Sequence, residues 1–183
     1  MGRITAWLIS TVDGVVGAPE RWSPPYMNEE VNAEIGAGMP AQGSVLLGRR
    51  TYQEMAAFWP HQEGNPFADY LNKSTKYVVS ATLDTLEWAN SRLLTGDLAE
   101  EVATLKRQLG EDLLVLGSPS LVRWLLRQGL LDELTLNLCP LVLGSGPRLF
   151  DPTTELRLEL VEAVTYGSGV LRVRYRPAGT GPA

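Results

Sequence analysis

Cys139 and His61 are the only cysteine and the only histidine in the chain. One thiol cannot close a disulfide within the chain. With one imidazole there is no zinc ribbon, no deaminase-type zinc site and no Cys/His nucleophile pair; a metal site of carboxylates alone stays open. Basic residues are also in deficit, with 16 Lys and Arg against 21 Asp and Glu and a formal charge of -5. That balance argues against a general basic surface for nucleic acid while leaving room for a local basic pocket. No apolar run reaches the roughly 18 residues of a membrane span. The opening MGRITAWLIS lacks the charged, apolar and cleavage regions of a secretory leader. The expectation is a soluble, cytoplasmic protein that binds neither nucleic acid nor membrane.

What is present is an ordinary globular composition, 44% hydrophobic and 20% charged, in 183 residues. That length suits one domain. We expect the domain to span residues 1–176 and PAGTGPA, from Pro177, to be a loose tail.

Short apolar runs alternate with helical periodicity. Residues 4–10 read as a buried strand ending at the turn pair Asp13-Gly14, and residues 27–37 as a helix closed by Gly36 and Gly38. SVLL at 44–47 is a second strand, followed by a helix over 51–58 that stops before Pro60. Residues 66–73 form a helix and 76–80 a strand. Asp97 and Glu100 have capping-box spacing ahead of Leu98, Val102, Leu105 and Leu109 at helical intervals. LLVL at 113–116 is a strand, after which Ser118 can cap a helix with Pro119 at its first position and Gly129 at its exit. A strand covers 133–143. The alternation around Gly167-Ser168-Gly169 then predicts an antiparallel hairpin. The pattern predicts an α/β fold, a mostly parallel central sheet with helices on both faces and a C-terminal antiparallel hairpin.

Two places share one arrangement: apolar strand, glycine, helix start. At Gly48, Arg49, Arg50 and Thr51 a phosphate can approach the backbone, meet unpaired N–H groups and a hydroxyl, and be held by guanidinium forks. Two arginines suit a 2′-phosphate, so the pattern favours NADP over NAD if a dinucleotide binds. Gly117, Ser118, Pro119 and Ser120 repeat the arrangement, and two such turns at one sheet edge match the needs of a dinucleotide. Neither is a P-loop or a full G-x-G-x-x-G. Ser80 ends a strand at the same edge. Asp13 can orient a substrate or relay a proton, Trp22 can cover a ring or anchor the loop, and Glu29, Glu30 and Glu34 supply carboxylates on the next helix. His61, Cys139 and Tyr166 read as structural.

Together the segments ISTVDGVVG, SVLLGRRTYQEM, FWP, KYVVSATL, LLVLGSPSLVRWLL and GLLDELTLNLCPLVLGSGPRLF, spanning most of residues 3–176, resemble the dihydrofolate reductase-like superfamily. The nearest likeness is to small stand-alone proteins similar to the C-terminal reductase domain of bifunctional riboflavin-biosynthesis deaminase-reductases. The resemblance implies hydride transfer from NADPH to a heterocycle and, commonly, a homodimer. It implies that Gly48, Arg49, Arg50, Thr51 and Ser80 hold the 2′-phosphate and pyrophosphate, that Gly117, Ser118, Ser120 and Leu121 line the second phosphate turn, and that Ile9, Val16 and Gly17 flank the nicotinamide. It further implies that Trp22, Asn28 and Asn137 face the substrate, and that Asp13 and Glu30 are the candidate catalytic acids.

The chain also departs from that pattern. Met27 and Asn28 stand where folate enzymes place their acid, Leu-Pro is missing before Trp22, and the paired glycines of the phosphate turn are reduced to Gly117-Ser118-Pro119. No deaminase motif is present. The expectation is therefore an NADPH-dependent reductase of a pterin-, folate- or pyrimidine-like small molecule, seated between the first loop and the helix from Met27. Two alternatives stand beside it. One is 5-amino-6-(5-phosphoribosylamino)uracil reductase, for which Arg49 and Arg50 alone are few cations. The other is a nucleotide-binding module without turnover.

Overall fold

Strands β1 (Ile4–Thr11), β2 (Ser44–Gly48), β3 (Thr75–Val79), β4 (Ser91–Leu94), β5 (Leu113–Leu116), β6 (Glu133–Cys139), β7 (Leu158–Thr165) and β8 (Leu171–Pro177) form one sheet, in the order β4-β3-β2-β5-β1-β6-β8-β7. The first six in that order pair in parallel, and β8 and β7 close the edge antiparallel. Among the described residues five α-helices connect them: α1 (Glu29–Gly38), α2 (Arg49–Phe58), α3 (Pro66–Lys73), α4 (Leu98–Gln108) and α5 (Pro119–Arg127). The computed structural model describes residues 2–39 and 43–178.

Central parallel strands are covered on both faces, which is why β5 is apolar without alternation and all four of its residues are buried. On one face Ile4, Ala6, Leu46, Val115 and Leu134 pack with Val102 of α4 and Val122 and Leu125 of α5. On the other, Val45, Leu47, Leu114 and Leu116 meet Tyr52 of α2, Leu71 of α3 and Trp88. Each such side chain contributes roughly 1.5–3 kcal/mol on burial. A third cluster joins Val31 of α1 to Cys139, Tyr166 and Val170, with Ile9, Trp22, Tyr26, Met27 and Ile35 packed against it.

Several boundaries differ from the sequence expectation. The side chain of Asn28 accepts from the Val31 N–H at 3.0 Å, so α1 starts at Glu29 rather than at Met27. β6 ends at Cys139 rather than at residue 143, because Pro140 has no N–H to continue the ladder. β4 has no counterpart in the sequence pattern, being a four-residue edge strand with too few residues to show a period. β8 runs through Pro177 and the Ala178 N–H donates to Arg157 O at 2.9 Å. Residues 179–183 of the expected tail lie outside the described residues.

Lys76, in β3, is fully buried. Its ammonium donates to Leu71 O (2.7 Å) and Ser74 O (2.9 Å) at the end of α3 and lies 4.5 Å from the centre of the Trp88 ring. Its hydrogen bonds satisfy carbonyls that a helix end otherwise leaves unpaired.

Candidate functional site

β2 and β5 are parallel neighbours, with Leu46 opposite Val115, so Gly48 and Gly117 emerge together at the carboxyl edge of the sheet. The Gly48 N–H donates to Ser118 Oγ at 2.9 Å. The approach is close: a Cβ on Gly48 would lie 3.3 Å from that oxygen and 3.5 Å from Ser118 Cβ. Ser118 itself holds φ 52, a left-handed conformation costly for a residue with a Cβ. The side chain expected to cap α5 is thus turned to the neighbouring strand end, and it caps nothing in its own helix.

This leaves a contrast among the helices. Side chains of Asn28, Asn65 and Asp97 accept from the first backbone N–H groups of α1, α3 and α4. The starts of α2 and α5 have no side-chain cap. Uncapped helix starts offer unpaired N–H donors and the positive end of the helix dipole.

The two uncapped starts open into a cleft of about 1070 Å³. Gly48, Arg49, Arg50, Thr51, Ser80, Ser118, Ser120 and Leu121, eight of the residues singled out from the sequence, all line it. Gly117 lies at the turn but is not part of the wall. Arg49 is exposed, and Arg50 pairs with Glu54 at 3.1 Å in a surface contact. Ser80 Oγ accepts from the N–H groups of Thr82 (3.1 Å) and Leu83 (3.0 Å), so it is also a turn residue, with its hydroxyl proton left to donate.

Arg123 and Arg148 also line this cleft, and the sequence reading missed both. Arg123 lies on the polar side of an amphipathic pattern, and Arg148 follows a glycine-rich loop one hundred residues from Gly48. Neither position carries a local signal. Among the described residues of the wall Asp151 is the sole carboxylate, and it is paired with Arg127 at 3.1 Å. The expectation that Arg49 and Arg50 were the only cations near the cleft is therefore corrected.

The wall carrying Arg148 is built from two loops. Asp13 accepts from Thr11 Oγ1 (2.6 Å) and from the N–H groups of Gly144 (2.8 Å) and Leu143 (3.3 Å). The Thr11 hydroxyl and these N–H groups pull its carboxyl down to about 2, so it is ionised at neutral pH. The Val16 N–H donates to Pro147 O at 2.9 Å. A Cβ on Gly17 would come within 2.7 Å of the Pro147 ring, so only glycine permits this packing. Val16 and Gly17 thus stand behind Pro147, which lines the cleft.

The remaining candidates gather elsewhere. Trp22 donates from its indole to Gly17 O at 2.9 Å and packs in the third cluster with Ile9, which makes it an anchor of the first loop. The space expected between that loop and α1 is occupied by this cluster. Glu30 is exposed and accepts from the Gly167 N–H at 2.9 Å, while Glu34 lies 3.6 Å from Arg172. Asn28 is the cap of α1. Asn137, between Ile9 and Arg172 in the sheet, is fully buried, and neither its amide nitrogen nor its oxygen has a hydrogen-bond partner among the described residues. A buried polar group left this way is costly and calls for an explanation. Burial pushes the Cys139 thiol up to about 11, so it is not a thiolate nucleophile at neutral pH.

Comparison with known proteins gives the fold and the family. The chain is 32% identical over 138 residues to the uncharacterized protein YyaP of Bacillus subtilis (strain 168), covering 72% of each chain. Among solved structures, a pyrimidine reductase-like protein from Corynebacterium diphtheriae superposes with a TM-score of 0.70 at 13% identity, over 97% of this chain and 92% of the other. Dihydrofolate reductase from Enterococcus faecalis, complexed with NADP(H), superposes with a TM-score of 0.63 at 16% identity over 96% of both. These likenesses establish the dihydrofolate reductase-like fold. The family described as the RibD C-terminal domain matches residues 3–172, and the chain belongs to that family.

Proposed function

We propose that this protein is an NADPH-dependent reductase of a small heterocyclic substrate of the pterin, folate or pyrimidine type. The observation that carries the reading is the cleft where the two uncapped helix starts meet, with four arginines in its wall. These features fit a dinucleotide: N–H donors for phosphate oxygens, close backbone approach at Gly48, and guanidinium forks for a phosphate monoester. The fold relative from Enterococcus faecalis is a complex with NADP(H).

In this reading Arg49 and Arg50 hold the 2′-phosphate, with hydroxyls from Thr51 and Ser80, while Ser118, Ser120 and Leu121 serve the second phosphate turn beyond Gly117. Ile9, Val16 and Gly17 flank the nicotinamide. Bound NADPH supplies the hydride. Asn137, whose buried amide has no partner among the described residues, is assigned to the substrate with Trp22 and Asn28 on the family resemblance. Asp13, already ionised and fully engaged, acts as a positioning residue that fixes the loop over 141–148. Glu30 or water is left as the source of the proton.

Pyrimidine reduction, the activity named for 5-amino-6-(5-phosphoribosylamino)uracil reductase, gains from Arg123 and Arg148, since the cleft is richer in cations than Arg49 and Arg50 alone. The rival from another class is a nucleotide-binding module without turnover. The test is calorimetric titration with NADPH and NADH, followed by absorbance at the nicotinamide band with dihydrofolate or the phosphoribosylamino-uracil present. The reductase reading expects selective NADPH binding and cofactor oxidation with one substrate. Glu30→Gln is expected to lower the rate and leave cofactor affinity intact. Binding without oxidation by any such heterocycle favours the module, and no binding of either nucleotide ends both readings.

A further inference from the structure

We infer that a polar cavity at the amino edge of the sheet binds a free α-amino acid, a small ligand that carries both signs of charge and no net charge. The inference lies beyond the reductase reading and does not depend on it.

The cavity has a volume of about 530 Å³, within the roughly 300–1,000 Å³ of small-molecule sites. Thr5 and Trp7 of β1, Leu114 of β5 and Thr135 of β6 line it from the amino-terminal halves of their strands, and Arg172 and Arg174 line it from β8. The last turns of α1 supply another wall through Glu34 and Ile35. The arginine cleft lies beyond the carboxyl ends of β2, β3 and β5, so the two cavities occupy opposite edges of one sheet.

The charges of the two cavities differ as well. In the cleft wall four arginines face one carboxylate among the described residues. In the second cavity Arg172 and Arg174 face two carboxylates, Glu34 and Glu162, while Arg3 is spent on Asp112 at 2.7 Å and Glu133 at 3.5 Å. The inner pairs are loose. Arg172 lies 3.6 Å from Glu34 and 3.2 Å from Glu162, and Arg174 lies 3.7 Å from the same Glu162 oxygen. Arg174 Nε is buried without a partner among the described residues, so this guanidinium lacks an acceptor. Partly exposed pairs of this kind contribute little to stability and yield readily to a ligand.

A ligand of one sign meets like charge here as often as unlike. A zwitterion is matched at both ends: its carboxylate supplies the acceptor that Arg174 lacks, and its ammonium meets Glu34. An apolar side chain rests against Trp7, Ile35 and Leu114. So placed, the ligand ties α1 to β8. Among the described side chains of α1 Val31 alone is buried, so the helix has few other anchors.

The test is calorimetric titration of L-leucine, L-methionine and L-phenylalanine, without nucleotide, against the wild-type protein, Arg174→Gln and Glu34→Gln. The amide of each amino acid lacks the carboxylate and the desamino acid lacks the ammonium, and both are titrated beside it. At least one amino acid is expected to bind. Its amide, its desamino acid and either variant are each expected to lose roughly 10- to 100-fold in affinity, the loss of one charged hydrogen bond. Thermal melts confirm folding, and Glu34 is exposed, so its variant remains decisive if Arg174→Gln does not fold. Hydrogen exchange with the amino acid bound is expected to slow in α1 and β8 and to stay unchanged at the starts of α2 and α5. A desamino acid that binds as tightly as its amino acid makes the cavity a plain anion site and overturns the inference. Wild-type affinity in either folded variant, protection confined to the cleft, or no binding of any of the three amino acids at millimolar concentration overturns it too.

Discussion

The Gly48 N–H and the Ser118 hydroxyl oxygen, 2.9 Å apart, tie together the ends of two neighbouring strands at the mouth of the arginine-lined cleft. Ser118 accepts this bond from a left-handed backbone conformation. Replacing it by alanine leaves the Gly48 N–H without its partner and keeps the strained backbone. The expected cost is about 1–3 kcal/mol, read as a shift in the midpoint of urea unfolding at unchanged slope. Ser118→Gly, which adopts positive φ without a steric penalty, is expected to lose less. Equal losses in the two variants would show that backbone strain at this turn contributes nothing.

Asp13 gives a pH dependence of known sign. Its carboxyl titrates near 2 in the folded protein against an ordinary 3.8, held down first by Thr11 and then by the N–H groups of Gly144 and Leu143. The folded state therefore binds the proton later than the unfolded chain. The stabilisation is complete above the ordinary carboxylate range and is lost as pH falls through about 2. Asp13→Asn should be less stable than wild type at neutral pH, and the gap should close toward pH 2. A gap that stays constant across the window would remove Asp13 from this role.

Asn137 separates stability from function. Its buried amide has no partner on either atom, and a β-branched residue of similar size suits a strand. Asn137→Val is expected to raise the unfolding free energy by about 1–3 kcal/mol and to weaken substrate binding while leaving nucleotide affinity unchanged. A destabilised variant with full turnover would show that the amide is neither orphaned nor used.

Lys76→Met retains the volume and removes the donors to Leu71 O and Ser74 O. An expected loss of about 1–3 kcal/mol at neutral pH follows from the abandoned carbonyls. Burial also pushes the Lys76 ammonium down from 10.5 to about 8. Between those values the unfolded chain holds the proton that the folded protein has released, so the linked contribution to stability rises with pH. Denaturation of wild type and variant between pH 7 and 10.5 should show that rise in the wild type alone.

Much of the fold is legible in the sequence because its signals are local. LLVL is apolar without alternation because a central parallel strand is covered on both faces, and Asp97 precedes an amphipathic run because its side chain meets the Glu100 N–H at 3.1 Å. β4 is not legible, since four half-exposed residues carry no period. The eight cleft residues from Gly48 to Leu121 are found from strand-glycine-helix spacing, which is a property of short segments.

Arg123 and Arg148 are not found this way. Their approach to Arg49 depends on the order β2-β5-β1-β6 and on the loop over 141–148 folding back against Asp13. The fates of Asp13 and Glu30 are tertiary for the same reason, whereas Trp22 meets Gly17 within its own loop. Each residue type suits catalysis or substrate contact, yet each is engaged by a backbone group, Gly144, Gly167 or Gly17. By itself the sequence determined the alternation of strands and helices and the two glycine turns, because hydrophobic period and backbone freedom act over a few residues. Only the tertiary structure decided which charges share the cleft and which polar groups are spent on loops, because those pairings join segments about a hundred residues apart and are set by sheet order and packing.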